Sequence, residues 1–312
     1  MLKCASFFAG VGGIDLGFEK AGCKTVYANE FDPYAADTME LNFKIKVDRR
    51  DICTVPSKEI PDFDIMLAGF PCQAFSIAGY RQGFKDEKGR GILFFEMVRI
   101  LKDKKPRFAF FENVKNLVSH DDGRTFKIIC QELDKIGYSY KFKVMNACEY
   151  GNVPQNRERI CIVAFRDKKD FEHFEMPKKK KLTKKLSAII DFNTKVDDKY
   201  YYTKKCPFYD KLIDTITQND KVYQWRRQYV RENKSGVVPT LTANMGMGGH
   251  NVPLVKTKFG IRKLTPRECF SAQGFPKTFK LPQQSDARLY KQAGNSVCVS
   301  LMESIAVEIV KL

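Results

Sequence analysis

KCASFFAGVGGIDLGFEKAG, residues 3–22, is the stretch whose reading decides the fold. An apolar run of strand-forming residues stops at Gly10-Val11-Gly12-Gly13, and a run with apolar residues at helical spacing follows, so the order is strand, glycine turn, helix. Glycines let a backbone pass close to a ligand. The next apolar run, KTVYANE, closes on Glu30, an acidic side chain placed to take ribose hydroxyls. A dinucleotide loop and a plain tight turn remain alternatives at this point, although the spacing differs from GxGxxG and so argues against a pyrophosphate.

Working outward, the pattern repeats: PYAADTMELNF, then DIMLAG before ILFFEMVRILK, then RFAFFEN before TFKIICQELDKIG. Strands alternating with helices at this spacing predict an α/β domain, a doubly wound, mostly parallel sheet with helices on both faces. Ligands of such sheets bind beyond the carboxyl ends of the strands. After RICIVAFRD the alternation fades and MPKKKKLTKK brings a dense positive run. We therefore expect a larger domain over 1–187, a smaller β or irregular domain over 188–266, a hinge over 267–294 and a terminal helix over 295–312 that docks back on the first domain. Thr265-Pro266-Arg267-Glu268 carries the residues of a helix capping box.

Composition narrows the partners. The chain has 312 residues, 43% hydrophobic and 29% charged, as globular proteins do. No apolar stretch is read as approaching the roughly 18 residues of a spanning helix, and the N-terminus lacks the order of a signal peptide, so a soluble, cytoplasmic protein with no membrane partner is expected. The ten cysteines show no CxxC pair and the three histidines no ligand spacing, so neither a disulfide framework nor a bound metal is expected. A formal charge of +17 opposes folding by self-repulsion but favours a polyanion, which makes nucleic acid the leading partner; a solvated lysine-rich face would also produce it.

Four places carry chemistry. In AGFPCQAFS, Cys72 follows a buried strand and opens IAGYRQGFKDEKGRG, whose Gly79, Gly83, Gly89 and Gly91 suit a lid. A free thiol with a pKa of about 8.5 is only slightly ionised at neutral pH, so a nucleophilic Cys72 needs a positive surrounding. In AFFENVKN, Glu112 ends an almost wholly apolar strand and either caps the next turn or shares a proton. In YGNVPQNRERICIVAF, Arg157 and Arg159 lie two apart, on one face of an extended chain, able to bind phosphate, hold a base oxygen or pair with Glu112. The fourth is the glycine loop itself.

Taken in order, FAGVGG, GFPCQAFS, ENV, QNRER, RKLTPRECFSAQGFP and GNSV closely resemble the motif set of the bacterial carbon-5 DNA cytosine methyltransferases of restriction-modification systems. The likeness covers the chain except for about residues 167–260, where that family keeps its variable target-recognition domain. The resemblance implies that Cys72 adds to carbon 6 of cytosine, that Glu112 contacts ring nitrogen 3 and the amino group, and that Arg159 holds the base oxygen with Arg157 in support. It implies S-adenosylmethionine as cofactor, bound by Phe8, Ala9, Gly10, Val11, Gly12, Gly13, Glu30, Phe31, Asp51, Ile52, Pro71, Leu93 and Asn295. Arg50 departs from the pattern, which has glycine before the Asp51 position. It further implies base flipping of the target cytosine, because the reaction is not possible inside a stacked duplex.

In the variable region, VYQWRRQYVRENKSGVVPTLTANMGMGGHN combines Arg226, Arg227 and Arg231 with aromatics and then a glycine-rich turn. Arginines read guanine edges, though part of such a set only neutralises phosphate. Thr240-Leu241 matches a Thr-Leu pair of the family's recognition domain; Ser76 and Gly248 complete the candidate DNA contacts. MPKKKKLTKK reads as a phosphate track or a solvated linker. The expectation is a monomer acting on double-stranded DNA, bacterial or phage-encoded, with a cognate restriction endonuclease as functional rather than physical partner. A tRNA cytosine methyltransferase of the same family, a catalytically silent DNA binder on this fold, and a nicotinamide oxidoreductase are the competitors; the last leaves Cys72 and the charge unexplained.

Overall fold

The computed structural model describes residues 1–71, 92–226, 228–247 and 252–312, so the expected sites at Cys72, Ser76, Arg227 and Gly248, and the glycine-rich segment after Cys72, lie outside the described residues. The chain divides into two compact units, Met1–Met145 with Glu158–Lys178 and Met302–Leu312, and Asn146–Arg157 with Lys179–Leu301.

The first unit is built on a six-stranded sheet of β1 (Lys3–Phe7), β2 (Lys24–Asn29), β3 (Ile65–Ala68), β4 (Phe108–Val114), β5 (Ser139–Asn146) and β6 (Glu158–Phe165), in the order β2-β1-β3-β4-β6-β5. β1 pairs in parallel with both β2 and β3, and β3 with β4. The chain leaves β1 to one side for β2 and crosses to the other for β3. The switch point, where such sheets bind ligands, therefore falls beyond Phe7 and Ala68. Helices Gly13–Lys20, Pro33–Asn42 and Ile92–Lys104 fill the connections between successive strands. Strands IMLA and FAFFENV are buried along almost their whole length, as expected where both faces of a sheet are covered.

β6 runs antiparallel to β4, with Val114 opposite Arg159 and Phe108 opposite Phe165. The segment between β5 and β6, Ala147–Arg157, is too short for the crossover that a parallel return needs. Because of this reversal the beginning of β6 lies at the carboxyl end of β4.

The second unit holds an antiparallel sheet of β7 (Tyr223–Arg226), β8 (Tyr229–Glu232), β9 (Leu254–Thr257) and β10 (Gly260–Lys263), ordered β10-β9-β7-β8. Leu212, Ile216, Tyr223, Trp225, Val230, Leu254 and Ile261 make its core, with Phe208 stacked on Trp225 at 4.2 Å. The capping box forms: Thr265 Oγ1 accepts from Glu268 N and Glu268 accepts from Thr265 N.

Two observations stand beside the sequence expectations. Residues 146–157 and 267–301 group with the second compact unit, whose later part begins at Lys179, where the sequence reading placed a smaller domain over 188–266 and a hinge over 267–294. The physical reason is a set of buried side chains that the sequence pattern does not show. Gln155 Nε2 donates to Ala272 O (2.6 Å) and Gln273 Oε1 (3.0 Å), and Gln273 Nε2 donates to Ala293 O (2.7 Å). Arg157 donates to Leu241 O (2.7 Å), Gly294 O (3.0 Å) and Ser296 O. Second, Asp286–Val310 is long and apolar enough by composition to span a membrane. It is nonetheless two helices, Asp286–Asn295 and Val299–Val310, and 61% of its most apolar window is buried inside the protein.

A charge pair holds the second unit's sheet to its next helix. Arg262, 0% exposed, makes a bidentate contact with Glu268 at 2.7 Å for both bonds and donates to Asp191 O at 2.7 Å. Glu268→Ala leaves that guanidinium buried without its counter-charge and should cost about 3–5 kcal/mol in denaturant unfolding. A loss below about 1 kcal/mol would show that water reaches the pair.

Candidate active site

The site in the first unit starts from the glycine loop. Phe8 and Gly10 turn through φ 54° and 57°, and Gly12 at φ 80° opens the helix Gly13–Lys20. A Cβ on Gly12 would collide with the Phe43 ring, whereas one on Gly10 would meet nothing within 4 Å. Gly12 is thus needed for packing and the space before Gly10 is open. Ala9, Gly10 and Phe8 are half-buried; Val11 and Gly13 are buried.

Glu30 leaves the end of β2 and accepts from Gly10 N (2.7 Å) and Asp32 N (2.8 Å), one bond to each oxygen. Beside it, Asn29 Nδ2 donates to Asp48 O and Arg50 O (3.0 and 2.9 Å), which fixes the strand-like segment presenting Asp51. Asp51 is exposed, accepts from Cys53 N at 3.0 Å, and is followed by buried Ile52. Arg50 does not intrude: its guanidinium is spent on Asp48 (2.7 Å) and Glu59 (2.8 Å), and its hydrogen bonds hold the Asp48 carboxyl below the usual range. Phe31 is 71% exposed, and Ile52, Leu93 and Phe8 border one apolar cluster with Phe7, Phe70 and Phe111. Pro71 is exposed at the last described position before Cys72. An open glycine turn, two carboxylates and an exposed ring suit a cationic, diol-bearing, aromatic ligand. S-adenosylmethionine has all three features.

The second part of the site stands at the carboxyl ends of β3 and β4. Glu112 is 8% exposed. A Cβ on Gly69 would lie 3.7 Å from Glu112 Oε2, so the carboxylate flanks the chain that leads to Cys72. Asn113 Nδ2 donates to Phe70 O at 2.8 Å and fixes that same turn. Arg159 Nε lies 2.9 Å from Glu112 Oε1 with both side chains largely buried. The N–H direction misses the oxygen, however, and Glu112 Oε1 has no hydrogen-bond donor among the described residues.

The remaining expected residues belong to the second unit. Arg157 is 2% exposed and donates to three carbonyls. Thr240 Oγ1 donates to Asn156 O at 2.6 Å, and Leu241 is buried with its N bonded to Gln155 Oε1, so the Thr-Leu pair is clasped by the Gln155-Asn156-Arg157 segment. Arg226 is exposed at the end of β7; Arg231 is exposed on β8 and donates to Gln224 Oε1 at 2.8 Å; Asn295 is exposed at the end of its helix. Sequence reasoning assigned no role to Gln155, Gln273 or Asn113, although each sits inside a quoted motif.

Asp15 was also passed over. It is 0% exposed in the helix after the glycine loop, accepting from Ser6 Oγ (2.9 Å) and Thr25 Oγ1 (3.1 Å). Burial raises its pKa to about 6 from the ordinary 3.8, against the lowering effect of the two hydroxyls. Because the folded state holds this proton up to a higher pH than the unfolded chain, stability falls as pH rises from about 4 to about 6, by about 3 kcal/mol in all. Asp15→Asn should remove that slope in urea unfolding followed across pH 4–7; parallel wild-type and variant profiles would show that Asp15 does not titrate there.

Comparison with known proteins places the chain. Residues 2–311 match the family model described as C-5 cytosine-specific DNA methylase. The chain is 56% identical over 313 residues to the Type II methyltransferase M.Bsp6I of Bacillus sp. (strain RFL6), covering 100% of this chain and 99% of that one. It is 37% identical to the Type II methyltransferase M.HhaI of Haemophilus parahaemolyticus, covering 99% and 94%. Among solved structures it resembles the S. pombe Dnmt2 methyltransferase with TM-score 0.76 at 17% identity, covering 100% of this chain and 99% of that one, a likeness of fold.

Proposed function

The chain belongs to the C-5 cytosine-specific DNA methylase family and methylates DNA cytosine at carbon 5, and from that premise we propose that Cys72, Glu112 and Arg159 do the chemistry. The observation that carries this assignment is the buried Glu112 Oε1, ion-paired with Arg159 and without a hydrogen-bond donor among the described residues. An unsatisfied buried acceptor costs about 1–3 kcal/mol, a cost that a ring N3–H or exocyclic amino group would remove on binding.

Each residue then has a task. Glu112 holds a proton at ring nitrogen 3 and accepts from the amino group, drawing electrons from carbon 6. Arg159, fixed beside Glu112 by the antiparallel register, donates to the base oxygen. The Cys72 thiolate adds to carbon 6, which turns carbon 5 into an enamine carbon able to accept a methyl group. S-adenosylmethionine, when bound, supplies that methyl on a sulfonium. Loss of the carbon 5 proton then expels Cys72 and restores the ring. Gly10–Gly13, Glu30, Phe31, Asp51 and Ile52 would hold the cofactor, with Pro71 and Leu93 beside them; Asn295 joins the set on the motif resemblance alone. The target cytosine must leave the stack, at a cost of a few kcal/mol.

The second unit supplies recognition in this reading. Arg226 and Arg231 display guanidiniums for base edges, and Arg227 and Gly248 belong to the same set. Its likeness to Type II methyltransferases supports a place in restriction-modification, and we propose that it acts as a monomer in the cytoplasm with a cognate endonuclease as its functional partner.

Incubation of unmethylated genomic DNA with the protein and S-adenosylmethionine should give 5-methylcytosine by nucleoside mass spectrometry, at one short motif by bisulfite mapping. Product in tRNA alone, or none with intact cofactor binding, would overturn the reading. Cys72→Ala should abolish transfer while keeping DNA affinity, and Glu112→Gln should lower kcat by about 10²-fold or more. Arg226→Ala should cost about 1–3 kcal/mol and relax one base position; uniform weakening across sequences would make it a phosphate contact.

A further inference from the structure

Residues 179–185, KKKLTKK, form no helix or strand, yet they are held. Lys180 N donates to Glu149 O at 2.6 Å; Thr183 N and Lys184 N donate to Asn152 Oδ1 at 2.8 and 3.3 Å; and Asn152 Nδ2 donates to Thr183 Oγ1 at 2.9 Å. Asn152 sits at φ 50°, a left-handed conformation that asparagine tolerates and that aims its amide at the strap. A block of like charges repels itself and ordinarily stays loose. Here it is fastened at three points to the segment that runs into Gln155-Asn156-Arg157. Lys179 is neutralised by Glu149 at 2.9 Å, but Lys181, Lys184 and Lys185 are exposed and have no acidic partner among the described residues.

We infer that this strap is a second DNA-contact surface, with Lys181, Lys184 and Lys185 tracking the phosphates of duplex DNA independently of sequence. Extended, the strap reaches about 20 Å, room for three phosphate contacts along one strand. It adds affinity on target and non-target duplex alike and leaves base choice to the recognition sheet. The inference rests on the DNA reading above.

The test is the salt dependence of duplex binding, on one duplex with the methylated motif and one without. Each phosphate contact contributes about 0.9 to the slope of log K against log salt. The K181Q/K184Q/K185Q variant should lower the slope's magnitude by about 2.7 on both duplexes, and K184Q alone by about 0.9. The triple arginine variant should keep the wild-type slope, and K179Q should leave it unchanged because Glu149 already neutralises that charge. A wild-type slope in the K181Q/K184Q/K185Q and K184Q variants would overturn the strap, as would a loss confined to the target duplex. Methyl transfer by the wild type is measured on the same duplexes, so a strap that fails in an active enzyme is distinct from a protein that does not methylate DNA.

Discussion

Glu112 and Arg159 leave water together because β6 runs against β4, and the remainder of the catalytic part depends on that pairing. A lone carboxylate at the end of an apolar strand would be pushed toward neutrality, and a lone guanidinium beside it would be costlier still to bury. The ion pair offsets this only in part. Its geometry leaves Glu112 Oε1 without a hydrogen-bond donor among the described residues, an acceptor suited to N–H groups. The pair is weak as a stabiliser and well suited as a receptor for an aminopyrimidine edge.

The same economy governs the cofactor side. Both oxygens of Glu30 are tied to backbone amides, and Asn29 ties down the chain before Asp51. Two carboxylates are thus oriented before any ligand arrives, which limits the ordering cost of binding. Arg50, standing where the family pattern has glycine, is accommodated because Asp48 and Glu59 draw its charge aside.

Much of this was legible in the sequence. Continuous apolar runs alternating with helical runs around Phe7, Ala68 and Glu112 predicted the sheet and its ligand end, and Thr265-Pro266-Arg267-Glu268 predicted a helix start that the structure contains. The direction of β6 was not legible, because an apolar strand reads alike in either direction. Nor were the unit boundaries. Gln155, Arg157 and Gln273 join residues far apart in sequence through buried hydrogen bonds, and no local pattern announces a partner more than a hundred residues away, as Ala272 is to Gln155. Leu241, which matched a recognition motif, is buried and bonded to Gln155, while Thr240 lies at the surface.

Covalent addition by Cys72 is the claim on which the assignment turns, and a duplex with 5-fluorocytosine at the methylated position tests it directly. Fluorine cannot depart as the carbon 5 proton does, so after methyl transfer the protein–DNA adduct persists. Digestion and mass spectrometry should find the fluoropyrimidine on the peptide containing Cys72, and only with S-adenosylmethionine present should the adduct carry the added methyl group. Methylation of ordinary duplex without such an adduct, or an adduct on another cysteine, would contradict the account.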